Sequence, residues 1–142
     1  MEFDFNYLTV LGAAFASFGL GALWYSPVLF AKPWMKEMGI DPSRMQSMKL
    51  TPTQAMVAGF VTALVTAYVL AHFVEVWAQV TGGQMGIAEG FQLAFYLWLG
   101  FVAPVMLGSI LWEGKSWKLF FINAGYQLVA LLLMSGILSY FR

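Results

Sequence analysis

Four stretches of the 142-residue chain contain no Asp, Glu, Lys or Arg: residues 5–31, 50–74, 90–112 and 119–141. A helix rises about 1.5 Å per residue and needs roughly 20 apolar residues to cross the hydrocarbon core of a bilayer. Each stretch is long enough for one crossing. Membrane strands would read as short segments of alternating polarity, whereas these stretches are continuously apolar. Lipid offers the backbone no hydrogen-bond partner, and a helix satisfies its own. The expected fold class is therefore all-α: a polytopic membrane protein with one domain, a bundle of four transmembrane helices over residues 6–26, 53–76, 88–112 and 117–140. Glu2 and Asp4 precede a long apolar run, so the first span reads as a retained helix rather than a cleaved signal.

Composition agrees with the membrane reading and removes several functions. Hydrophobic residues make up 61% of the chain and charged residues 10%, against about 45–50% and about 25% in soluble domains. A chain this short cannot bury that much apolar surface in its own interior. The net charge is zero, so there is no basic face to hold nucleic acid. The absence of Cys excludes a disulfide scaffold, a thiolate nucleophile and an iron–sulfur cluster. A single His cannot build a zinc site within one protomer. Neither a phosphate-cradling Gly-rich motif with Lys nor a Ser-His-Asp arrangement is evident. No catalytic residue, metal or cofactor is expected, and the chain does not read as an enzyme.

Orientation follows from the cations. Lys32, Lys36, Arg44 and Lys49 fall between spans one and two, and Lys115 and Lys118 flank the turn between spans three and four. The loop between spans two and three has no cation, and only Arg142 breaks the pattern. Basic loops stay in the cytoplasm, which puts both termini on the outer side. Trp24, Tyr25, Trp34, Trp112 and Trp117 would form the inner aromatic belt, and Tyr7, Trp77 and Tyr140 the outer one.

Local signals mark the connections. Ser116 is placed to cap span four after a tight turn at Gly114, which makes spans three and four antiparallel neighbours. Thr51-Pro52 and Asp41-Pro42 both read as an N-cap followed by proline at the first helical position. Met35, Met38, Met45 and Met48 alternate with Lys36, Arg44 and Lys49, which suggests a short amphipathic segment in the headgroup plane; a plain surface loop is the alternative. Pro104 should kink span three.

In lipid, small residues let helices approach closely. Span two carries Ala55, Gly59, Ala63, Ala67 and Ala71 at every fourth position, and span one carries Ala13, Ser17 and Gly21. These faces are expected inside the bundle or at a subunit interface, and a homo-oligomer follows from the second case. Thr62 and Thr66 can bond their own preceding carbonyls.

Two groups of polar residues are candidate sites. His72, Glu75, Glu89 and Gln92 fall at the outer ends of spans two and three. They form either a vestibule for a cation or proton, or carboxylates resting in the headgroup zone beside a histidine bonded to a neighbouring helix. Asn123 and Gln127 lie four apart on span four, as interhelical glue or as substrate-binding amides.

Four segments carry a resemblance to a known family. They are Gly21-Ala22-Leu23-Trp24-Tyr25-Ser26-Pro27 with Phe30 and Trp34 after it, Gly100-Phe101-Val102-Ala103-Pro104, Leu111-Trp112-Glu113-Gly114-Lys115, and Asn123-Ala124-Gly125-Tyr126. Together, and in this order over nearly the whole chain, they resemble the bacterial membrane family catalogued as "domain of unknown function 1761". The resemblance implies a small four-helix integral membrane protein and brings no activity, substrate or catalytic residue. The positions that bear it gather at the cytoplasmic ends of spans one, three and four. Trp24, Tyr25, Trp112 and Trp117 can wall a pocket there, and Asn123, Lys32 and Lys115 can supply polar contacts. Ser26-Pro27 ends or bends the first helix, which frees carbonyls. The candidate ligand-binding residues are Trp24, Tyr25, Ser26, Trp112, Asn123, Tyr126 and Gln127; the alternative is an aromatic belt with a structural turn.

Two functions fit. One is an oligomeric protein of the bacterial inner membrane that binds or passes a small solute or lipid between its helices. The other is a non-catalytic accessory or scaffold subunit docked on a larger membrane-protein partner.

Overall fold

A computed structural model describes residues 6–40 and 50–142. Every regular element among the described residues is helical: α1 (Tyr7–Trp24), α2 (Ala31–Met38), α3 (Pro52–Val80), α4 (Ile87–Leu97), a π-helical turn (Trp98–Val102), α5 (Ala103–Leu111) and α6 (Trp117–Tyr140). α4, the π turn and α5 run on as one rod, so four helices are long and apolar enough to cross a membrane, as expected. The readings of Glu2 and Asp4, the Asp41-Pro42 cap, and the Arg44, Met45, Met48 and Lys49 part of the amphipathic segment lie outside the described residues.

The caps form where the residue types require them. The Thr51 hydroxyl accepts from Gln54 N at 3.1 Å while the Gln54 side chain accepts from Thr51 N. Those two bonds close a capping box around two donors a helix start cannot satisfy itself. Ser116 caps α6 through Leu119 N at 3.1 Å, after a turn in which Gly114 takes φ +67°. Asn6 accepts from Leu8 N to start α1. Met35, Lys36 and Met38 of the amphipathic segment fall in α2, which starts at Ala31. The helix α2 itself ends at Gly39, whose φ of 68° closes it.

Pro104 does not simply bend its span. Proline lacks an N–H and its ring clashes with the carbonyl one turn back. The chain answers by widening into a π turn over the preceding residues, with Ala103 N bonded to Trp98 O. That widening turns Trp98 so that its indole N–H donates to Ala124 O on α6 at 2.8 Å.

α6 is the central helix and packs against α1, α2, α3, α4 and α5. Its small residues set the approach. Gly90 on α4 lies so close to α6 that an added Cβ would run into the Ser139 hydroxyl and sit 2.8 Å from Ser135 O. Gly136 makes room for the Phe91 ring in return. With Ala94 fully buried, Gly90 and Ala94 carry the α4–α6 crossing.

The expected stripes of spans one and two divide. Ala13, Ser17, Ala67 and Ala71 are buried, but Ala55 is exposed and Gly59 and Ala63 are half-buried. Phe60 keeps α3 on α1 by resting against Phe15 and Phe18, at 4.8 and 5.9 Å between ring centres. The face over Ala55, Gly59 and Ala63 has no such cover and opens into a groove.

Candidate functional site: the groove and its aromatic floor

The end of the bundle near α2 is built by two interlocked pairs. Gly21 on α1 faces Tyr126 on α6, where an added Cβ would stand 2.9 Å from the phenol oxygen. Gly125 on α6 faces Trp24 on α1, with a Cβ-to-ring distance of 3.4 Å. Each glycine leaves a notch in which an aromatic ring of the other helix is seated. The polar tips then find partners across the interface. Trp24 Nε1 donates to Ile122 O at 3.0 Å, Tyr126 Oη donates to Ser17 O at 3.1 Å, and Tyr25 Oη donates to Asn123 Oδ1 at 2.8 Å. Rings of Tyr25 and Tyr126 meet edge to face at 5.5 Å, and Trp34 of α2 closes on Tyr25 at 5.8 Å.

The predicted inner residues therefore separate into roles. Trp24 is spent on the α1–α6 interface. Ser26 turns its hydroxyl back to Leu23 O at 2.6 Å, and two further carbonyls at the end of α1 are taken, Gly21 O by Tyr25 N and Trp24 O by Phe30 N. The turn at Ser26-Pro27 frees none of these acceptors for a ligand. Trp112 stands 87% exposed at the rim of a separate hollow with Lys115, Phe120 and Asn123, apart from Trp24 and Tyr126. Asn123 is glue, through Tyr25, and also borders a pocket of about 620 Å³ with Trp34, Met35 and Met38.

Tyr25, Tyr126 and Gln127 remain, and they come together on one surface. They line a groove of about 810 Å³ with α1 as its floor, α3 as one wall and α6 as the other. Ala55, Gly59 and Ala63 shape the α3 wall, and Ser17, Gly21 and Ala22 the floor. Thr62 and Thr66 also border it, but their hydroxyls donate to Gly59 O and Thr62 O of their own helix, as expected. Gln127 is different. Among the described residues its amide has no hydrogen-bond partner, and it is the one amide on the groove. The spacing of Asn123 and Gln127 marked both amides. That one is glue and the other bare depends on where α1 stops and α3 diverges, which no local signal carries.

The predicted outer residues do not form one cluster. Glu89 turns back to accept from Gly86 N at 2.8 Å and caps α4. Gln92 is exposed. The His72 ring holds Nδ1 at 2.9 Å from Tyr68 O on its own helix and packs on the Tyr68 ring. Glu75 is only 8% exposed and pairs with Arg142, whose Nε lies 2.9 Å from Oε1. Sequence reasoning set Arg142 aside as an exception to the charge pattern. Its place beside Glu75 is what makes a buried carboxylate tolerable. No group of three or more His, Cys, Asp or Glu able to hold a metal ion occurs among the described residues.

No curated protein and no solved structure matches the chain. The model of one family, described as a protein of unknown function (DUF1761), matches residues 8–139. That match runs from the first turn of α1 to the last turn of α6, so the chain belongs to this family of proteins of unknown function.

Proposed function

We propose that the protein is a non-enzymatic multi-pass membrane protein that holds one amphipathic molecule, a lipid or lipid-like solute, in the groove between α3 and α6. The Gln127 amide carries this reading. A primary amide offers two donors and two acceptor lone pairs, and hydrocarbon can satisfy none of them. The groove's volume of about 810 Å³ falls inside the roughly 300–1,000 Å³ of small-molecule sites. Its walls of Ala, Gly, Met and Phe suit an alkyl chain, and Gln127 and Tyr126 suit a hydroxyl, ester or amide along it.

The supporting experiment is extraction with native lipid followed by mass spectrometry of the intact protein. One retained species, lost when Gln127 becomes Leu, supports the reading. No retained species, together with no solute flux in liposomes, overturns it.

A second reading rests on the open α3 face. Ala55, Gly59 and Ala63 can admit a helix backbone, either from a second copy in a homo-oligomer or from a larger membrane-protein partner. Crosslinking in native membranes separates the two, since recovery with copies of itself alone removes the accessory-subunit role. For orientation we adopt the positive-inside assignment: Lys32, Lys36, Lys115 and Lys118 on the cytoplasmic side of a bacterial inner membrane and both termini outside.

A further inference from the structure

At the end of the bundle opposite α2, a cavity of about 410 Å³ is lined by Asn6, Thr9, Ala71, Val74, Glu75, Leu138, Phe141 and Arg142. We infer that this cavity is a site for a small organic monocation, an alkylguanidinium or alkylammonium, and that Arg142 is its built-in occupant, displaced when the ligand binds. It is independent of the groove, sharing none of its lining residues.

Three observations carry the inference. First, the Glu75 side chain is only 11% exposed. A carboxylate withdrawn from water this far needs a cation beside it, because the solvation it has lost must be replaced. Second, the cation present is held by little. Arg142 contacts Glu75 through a single bond, Nε to Oε1. Guanidinium and carboxylate are shaped to make two parallel bonds, and among the described residues neither the terminal nitrogens of Arg142 nor Oε2 of Glu75 has a hydrogen-bond partner. Arg142 also lies beyond the end of α6, which stops at Tyr140, and its side chain is 32% exposed. Withdrawing it breaks no helical hydrogen bond. Third, the cavity has more than a charge to offer. Val74, Ala71 and Leu138 give an apolar wall for an alkyl body, Phe141 gives a ring, and Asn6 and Thr9 give polar groups at the rim. An inorganic ion would leave the apolar wall unused, whereas a cation with a short alkyl body uses the carboxylate and the apolar wall together.

The pair is also consistent with a plain clasp that fastens α6 to α3, and the test separates the two. The full-length protein in detergent micelles is titrated with n-propylguanidinium chloride, with sodium chloride at equal ionic strength as the blank. Wild type should bind saturably. Arg142→Ala should bind at least tenfold more tightly, since the internal competitor is gone, and Glu75→Gln should not bind saturably. A measurement on wild type alone guards against variants that fail to fold. The Nε–H resonance of 15N-labelled Arg142 should move toward the free guanidinium position as ligand is added, with saturation matching the titration. The inference is overturned if neither wild type nor Arg142→Ala binds, if Arg142→Ala binds no more tightly than wild type, if Glu75→Gln leaves binding unchanged, or if the Arg142 resonance stays put at saturating ligand.

Discussion

Tyr25 at the end of α1 donates its phenol proton to Asn123 Oδ1 on α6 at 2.8 Å, joining residues 98 apart in the chain. With Trp24 on Ile122 O and Tyr126 on Ser17 O, it ties α1 to α6 at the end where the groove opens. Removing the donor in Tyr25→Phe should lower stability by about 0.6–2 kcal/mol, the range of interhelical hydrogen bonds in membranes. Thermal unfolding in detergent of Tyr25→Phe, Asn123→Ala and the double variant measures it. The double variant should lose less than the sum of the two, because the second substitution removes a bond already broken.

Gly90→Ala should be costly and Gly12→Ala should not. At Gly90 the new methyl meets Ser139 and the Ser135 carbonyl, so α4 and α6 must part, whereas at Gly12 nothing lies within 4 Å. Overpacking of this kind costs about 1–3 kcal/mol. Alanine in an open helix position gains up to about 1 kcal/mol over glycine. Melting temperatures of the two variants should therefore move in opposite directions.

Gln127→Leu should leave the ligand-free protein at least as stable as wild type, since the amide has no partner among the described residues to lose and leucine needs none in hydrocarbon. The same variant should release the groove's ligand in native mass spectrometry. A large fall in melting temperature without loss of ligand would show Gln127 to be structural instead.

The chain has no Cys, so single cysteines report topology cleanly. A membrane-impermeant maleimide should label Gln84→Cys in intact cells and Lys36→Cys only after permeabilisation. The reverse pattern would invert the proposed orientation. Labelling of both from one side would contradict a single crossing by α3.

Much of the architecture was legible because it is local. The four crossings follow from where charge is missing, and the starts of α3 and α6 follow from Thr51-Pro52 and Ser116, whose caps act within three residues. Pro104 marked its own disturbance, though not the π turn that accommodates it. The candidate site was legible only in part. Tyr25, Tyr126 and Gln127 were among the residues singled out and do share the groove, while Ser26 and Trp112 were singled out with them and do not.

The amino-acid sequence by itself determined that there are four long apolar helices fit for lipid and where α3 and α6 begin, because length, charge and capping are properties of neighbouring residues. Tertiary structure decided which faces meet. Around a helix immersed in hydrocarbon every side is apolar, so hydrophobicity no longer separates inside from outside. The choice passes to notches and hydrogen bonds between distant residues: Gly90 under Ser135, Gly125 under Trp24, Arg142 on Glu75. Where such pairing stops, between the first half of α3 and α6, the bundle stays open.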